Sequence, residues 1–159
     1  MFSIIIPLYN KANYIEKAIK SVIAQTYQEF ELIVVNDGSI DLDDEALEKG
    51  FESTPLHDLI LLNERAVYMK QPNQGVSVAR NNGVKQAKNR YICFLDADDW
   101  WKPDFLEKMN ELILEYPDAG IYGCRYELFK NGNYRNTNIG LPPNFERGLI
   151  DYCSVYSST

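Results

Sequence analysis

No apolar run in this 159-residue chain approaches the roughly 20 residues needed to cross a bilayer. Nor does a basic, apolar leader precede the first patterned segment, since Met1 runs straight into Phe2-Ser3-Ile4-Ile5-Ile6-Pro7. The expectation is a soluble, cytoplasmic chain without a membrane span. Cysteine is scarce as well. Cys93, Cys124 and Cys153 are odd in number, widely spaced and free of any Cys-x-x-Cys pair, which argues against a disulfide framework and a zinc site. Cys93 and Cys124 fall inside apolar runs and are expected to be small buried hydrophobes. Glycine-rich phosphate loops are missing: no Gly-x-Gly-x-x-Gly follows the first apolar run, and there is no Walker Gly-Lys-Ser/Thr and no Gly-x-Ser-x-Gly elbow. Positive charge is short too, 16 Lys and Arg against 23 Asp and Glu, a net −7. That balance argues against non-specific binding to nucleic acid or to an anionic membrane. It also means that an anionic ligand needs a recruited cation. His57, alone in an unpatterned stretch, is given no role.

What is present is ordinary globular composition, 45% hydrophobic and 25% charged, at a length suited to one domain. Ser3 to Leu8, Phe30 to Val35 and Tyr91 to Leu95 are short continuous apolar runs, the signature of strands buried in a parallel sheet, and Val67 to Lys70 is a shorter one. Between them, Ile15, Ala18, Ile19, Val22 and Ile23 make a helical stripe with Asn10 or Asn13 as cap. Val76 to Lys88 carries a narrow face of small residues. Phe105, Met109, Leu112 and Ile113 mark a helix beginning near Pro103. Asp43 to Gly50 is weakly helical, Phe51 to Arg65 is unreadable, and Ile121 to Phe129 reads as a strand entering a hairpin at Asn131-Gly132. Alternation of this kind implies an α/β fold, a mostly parallel sheet with helices on both faces and right-handed crossovers.

Ligands of such sheets sit beyond the carboxyl ends of the strands. Here those ends are Pro7-Leu8-Tyr9-Asn10, Asn36-Asp37-Gly38-Ser39 and Asp96-Ala97-Asp98-Asp99, all polar or turn-forming, so a single site is implied. Asp96, Asp98 and Asp99 crowd three carboxylates into four residues, a costly arrangement unless a cation sits among them. Oxygen donors of this kind suit Mg²⁺ or Mn²⁺ with coordination positions left for phosphate oxygens. A solvated acidic turn capping the next helix is the blander reading, but a cap needs one carboxylate, not three. Asp37 can accept a hydrogen bond from a base N–H, although taken alone Asp37-Gly38-Ser39 reads more simply as a turn. Tyr9 offers a ring for stacking a nucleobase, and Arg80 is either an exposed helix residue or a phosphate contact.

Four stretches in order, Ser3 to Asn10, Phe30 to Ser39, Asn73-Gln74-Gly75 with Ala79-Arg80-Asn81-Asn82-Gly83, and Tyr91 to Trp100, resemble the family 2 glycosyltransferases. The resemblance covers Phe2 to about Asp104. It implies the GT-A fold, a Rossmann-like three-layer α/β/α sandwich, with residues 1–130 as the nucleotide-diphosphate-sugar-binding core and 131–159 as the start of an acceptor-side region. It also implies transfer of a sugar from a nucleotide-diphosphate donor, a UDP-sugar, to the hydroxyl of a saccharide or lipid-linked acceptor, with inversion and metal assistance. Such enzymes build cell-surface polysaccharides. By the same resemblance Pro7, Tyr9 and Asp37 hold the base, and Asn10, Gly38 and Ser39 belong to the same nucleotide-sugar site. Gly75, Arg80, Asp96 and Ala97 complete the donor site, with Asp96 toward the ribose, and Asp98 binds the metal at the diphosphate.

Two departures stand out. Ile40 replaces the Thr that often follows Asp-Gly-Ser, and no carboxylate after Glu127 other than Glu146 and Asp151 is available as a base. Neither stands in a recognisable context, so the catalytic base is expected beyond Thr159. The alternative expectation is a catalytically incomplete donor-binding module. A metal-dependent phosphatase or nucleotidyltransferase is a third reading, disfavoured by Trp100 after the acid cluster and by the missing glycine-rich loop.

Overall fold

The computed structural model describes residues 1–42, 65–124, 127–130 and 133–136. The expected weak helix at 43–50, His57 and its unreadable stretch as far as residue 64, the Asn131-Gly132 turn, Glu146, Asp151 and Cys153 lie outside the described residues. The chain divides into two units, residues 1–117 and 118–159.

The first unit is built on strands β1 (Phe2–Leu8), β2 (Phe30–Asn36), β3 (Ala66–Lys70) and β4 (Tyr91–Phe94), with helices α1 (Ala12–Ile23), α2 (Val76–Gln86) and α3 (Phe105–Glu115). The sheet order is β3-β2-β1-β4 and every pairing in it is parallel. β1 and β2 are central and buried along their whole length, as continuous apolar strands must be. Because β1-to-β2 and β3-to-β4 step in opposite directions across the sheet, right-handed crossovers put α1 and α2 on opposite faces.

On one face, Ile5, Ile33 and Val35 pack with Ala79 of α2. Small residues let that helix approach closely: a Cβ on Gly83 would come within 2.5 Å of Ile5 Cγ2. On the other face, Ile4, Ile6, Leu8, Leu32 and Val34 are fully buried. The buried stripes of α1 (Ile15, Ala18, Ile19, Val22) and α3 (Leu106, Met109, Ile113) supply its cover. Burying one such side chain is worth about 1.5–3 kcal/mol, so these stripes, rather than helix propensity, hold the layers.

Several expectations change. β1 starts one residue early, at Phe2, and reaches the expected end at Leu8 through Pro7, because β4 pairs only as far as Ile5 and the missing Pro7 N–H faces no strand. β4 was expected to be buried. It is last in the sheet order of the described strands, and Phe94 is half-exposed. Neither Asn10 nor Asn13 caps α1; the cap position is Lys11, whose side chain makes no capping bond, and the Ala12 amide instead donates to Asp41 Oδ2 at 3.0 Å. Cys93 is half-buried and Cys124 is exposed, because residues 121–124 form no strand.

In the second unit, β5 (Glu127–Lys130) and β6 (Asn133–Asn136) pair antiparallel in the register Lys130↔Asn133. The strand expected from Ile121 is therefore shorter than its apolar run.

Candidate functional site

The carboxyl ends of β1 and β2 are sewn together by their own polar residues. Asp37 N–H donates to the Leu8 carbonyl at 2.8 Å, Asn10 N–H to Ser39 Oγ at 3.1 Å, and Ile40 N–H to Asn10 Oδ1 at 3.0 Å. Asn10 takes a left-handed backbone (φ 50°), which Asn tolerates better than most residues. Asn10, Gly38 and Ser39 thus join the two strand ends and do not line the cleft that opens beside them.

That cleft has a volume of about 420 Å³. Pro7, Tyr9, Asp37, Gly75, Arg80, Asp96, Ala97 and Asp98 line it, so eight of the eleven expected donor-site residues come together in one place. The three sequence segments singled out as strand ends all reach it. Leu8, Asn73 and Ala79, from the stretches already singled out, line it too, as do Lys11 and Val76, which were not anticipated. The acidic turn signals the need for a cation, but not that Lys11 supplies it.

Asp37 is 2% exposed, and its carboxylate is already engaged. Oδ1 accepts from Gln71 Nε2 at 2.7 Å and from the Gln74 amide at 2.9 Å, while Oδ2 accepts from the Gly75 amide at 2.8 Å. Three of roughly four lone-pair positions are filled, which leaves one on Oδ2 for a ligand. Asn73 Nδ2 adds a bond to the Asp37 carbonyl at 3.1 Å. The segment lies so close that a Cβ on Gly38 (φ +73°) would sit 2.8 Å from the Asn73 nitrogen. The glycine there serves the approach of residues 71–75.

Across the cleft, the acid cluster is a tight turn closed by Asp99 N–H to the Asp96 carbonyl at 3.0 Å. Two of its carboxylates are paired with cations from other elements: Asp98 Oδ2 with Lys11 Nζ at 2.7 Å and Asp96 Oδ1 with Arg80 Nη2 at 2.6 Å. The Lys11 hydrogen bond holds the Asp98 carboxyl below the usual carboxylate range, and Asp98 in turn raises Lys11. Asp99 is pushed up, first by burial and then by the charges of Asp98 and Asp96. The repulsion inferred from sequence is therefore present. The Arg80 Nε is buried without a hydrogen-bond partner among the described residues, a donor that an anionic ligand in the cleft can use.

Among the described residues, no three carboxylate, His or Cys side chains converge to hold a metal unaided. Asp96 and Asp98 fit the sparser arrangement in which Mg²⁺ or Mn²⁺ is bound through one or two carboxylates and completed by phosphate oxygens.

The sequence model of the Glycosyl transferase family 2 matches residues 3–156. The chain belongs to that family. Among curated proteins it is 38% identical over 126 residues to glycosyltransferase GlyA of Streptococcus pneumoniae, covering 79% of this chain and 17% of the relative. It is 37% identical over 115 residues to the glycosyltransferase TuaG of Bacillus subtilis, covering 72% of this chain and 42% of the relative. The chain thus spans less than half the length of these relatives. Among solved structures, Staphylococcus aureus TarS 1–349 in complex with UDP matches 73% of this chain and 32% of that one, at 28% identity and a TM-score of 0.60. The Pyrobaculum calidifontis mannosyltransferase PcManGT, solved with GDP-Man and Mn²⁺, shares the fold at 22% identity and a TM-score of 0.59, covering 70% of this chain and 32% of that one. This family 2 domain therefore has the GT-A architecture expected from its motifs, and no described helix is long and apolar enough to cross a membrane.

Proposed function

We propose that this family 2 domain binds a nucleotide-diphosphate sugar, specifically a UDP-sugar, through a divalent cation at Asp98. In the longer protein it would pass the sugar to an acceptor hydroxyl with inversion. The observation that carries the reading is the division of the cleft: a half-exposed Tyr9 ring and the remaining acceptor position of Asp37 on one side, and paired acids and cations on the other. A base stacked on Tyr9 and bonded to Asp37, with Pro7 beside it, directs its diphosphate toward Lys11, Arg80 and the acidic turn. Asp96 takes the ribose side, and Gly75 and Ala97 offer backbone without bulk. When bound, Mg²⁺ or Mn²⁺ neutralises charge on the departing diphosphate, a contribution of several kcal/mol in such reactions.

The UDP bound to TarS and the Mn²⁺ bound to PcManGT favour this donor and cofactor class. On this reading residues 1–130 form the donor-binding part. Residues 131–159 begin the acceptor side, where the base that deprotonates a saccharide or lipid-linked acceptor is supplied. The domain works in the cytoplasm, where nucleotide sugars are made. Calorimetric titration of UDP with and without Mn²⁺ tests the reading: binding that requires the metal and is lost in Asp98→Ala supports it, and binding indifferent to both refutes it.

A further inference from the structure

We propose that Gln25 is a positioning residue for the acidic turn, fixing the pitch of Asp96 and Asp98 from the far end of α1. The inference rests on the reading of that turn as the metal and diphosphate site. Gln25 follows α1, is 2% exposed, and uses both amide hydrogens and its amide oxygen. Nε2 donates to the Ser21 carbonyl at 2.9 Å and to the Lys102 carbonyl at 2.8 Å, and Oε1 accepts from the Leu106 amide at 2.9 Å. A reversed amide would set oxygen against two carbonyls and nitrogen against an N–H, so its orientation is fixed. Leu106 lies in the first turn of α3, where amides lack intrahelical partners, and Asp104 at the cap position makes no side-chain capping bond, its carboxylate being paired with Lys108 instead. Gln25 therefore caps a helix distant in sequence.

Its neighbours grip the same segment. Trp101 N–H donates to Ser21 Oγ at 3.1 Å, Thr26 N–H to the Pro103 carbonyl at 2.8 Å, and Thr26 Oγ1 to Glu107 Oε2 at 2.8 Å. On its other side the acidic turn is fastened to the sheet by Leu95 N–H to the Ile5 carbonyl at 3.1 Å. Residues 96–100 are thus an arch with two feet, one on β1 and one on the end of α1. Lys11, at the opposite end of α1, touches the crown of the arch at Asp98. A single helix therefore sets both the foot and the counter-ion, and slack at Gln25 changes the angle between the two carboxylates without entering the cleft. Residues that orient metal-binding side chains from behind commonly govern metal affinity roughly 10–100-fold.

The test compares two ligands on the 159-residue chain. Gln25→Met keeps the length without the bonds, and Gln25→Glu keeps the acceptor while opposing the Lys102 carbonyl. Both are expected to weaken Mn²⁺-dependent UDP binding about tenfold or more, while metal-free uridine binding, followed by NMR shifts, stays within about twofold. Should either variant fail to fold by circular dichroism, Ser21→Ala, which removes the acceptor of Trp101 N–H and the hydroxyl's own bond to the Ala18 carbonyl but keeps the Ser21 carbonyl that Gln25 uses, is expected to show the same split at smaller size. Equal loss of uridine and UDP, or no loss of either, overturns the proposal while wild-type binding still requires Mn²⁺. Wild-type binding of UDP that ignores Mn²⁺ removes the underlying reading and this inference with it.

Discussion

Lys11 Nζ lies 2.7 Å from Asp98 Oδ2, so the carboxylate proposed to take a divalent cation is held meanwhile by an ammonium group from the start of α1. Arg80 does the same for Asp96. In a chain of net charge −7, two of its cations are thus gathered where an anion would enter.

Removing the ammonium separates its two effects. Lys11→Met relieves competition for Asp98, so Mn²⁺ alone binds more tightly, while UDP in the presence of Mn²⁺ binds less tightly for want of a cation beside the diphosphate. The pH dependence has a definite sign. Lys11 holds Asp98 below its ordinary 3.8, so the pair's contribution is present above the unfolded carboxylate range and fades as pH falls through the folded value, below pH 3.8. On the lysine side, raised above 10.5, it persists until more alkaline pH. No change in the pair is expected between pH 5 and 9. A carbon-detected NMR titration of Asp98 should give a midpoint below 3.8 in the wild type and a higher one in Lys11→Met.

Asp37→Asn should act through the loop as well as the ligand. An asparagine replaces one acceptor oxygen by an NH₂ group facing amide donors that are buried, and leaving such a donor unsatisfied costs about 1–3 kcal/mol. Urea unfolding should show that loss. Uridine binding should weaken in the same variant even at temperatures where it is fully folded.

Gly83 and Gly120 make a matched pair. A Cβ on Gly83 meets Ile5 Cγ2 at 2.5 Å and Val35 Cγ2 at 3.3 Å, inside a packed core, whereas one on Gly120 meets nothing within 4 Å. Gly83→Ala is expected to cost about 1–3 kcal/mol through forced displacement of α2 from the sheet. Gly120→Ala should stay within about 0.5 kcal/mol. Denaturant midpoints measured side by side decide it.

Thiol chemistry should discriminate between the two described cysteines. Burial pushes the Cys93 thiol up to about 12, so almost none of it is thiolate at pH 8. Cys124 is exposed and raised less. Alkylation at pH 8 followed by peptide mass spectrometry should find Cys124 modified well before Cys93.

The strands of the sheet were legible because burial on both faces leaves a continuous apolar run, as at Ile4-Ile5-Ile6 and Leu32-Ile33-Val34-Val35. α1 and α3 announced themselves by stripes such as Ile15, Ile19, Val22 and Met109, Ile113. The convergence of three strand ends on one cleft followed from the sheet rule alone. Other features were hidden for physical reasons. Asp41 as the partner of Ala12, and Gln25 as the cap of α3, are contacts between residues far apart in sequence, which no local pattern encodes. The burial expected of β4 failed because an apolar run does not say whether its strand is central or last in the sheet. Lys11 is hidden for the same reason, since its partner Asp98 lies 87 residues away in sequence.

The central claim is that a divalent cation joins this anionic domain to an anionic donor at Asp98. Electron paramagnetic resonance of Mn²⁺ tests it most directly, since the free-ion signal falls as the ion is bound. With UDP present, the wild-type chain should deplete that signal well beyond UDP alone, and Asp98→Asn should leave it near the UDP-only level. A wild-type chain that removes no additional Mn²⁺, or an Asp98→Asn variant that removes as much as the wild type, would contradict the account.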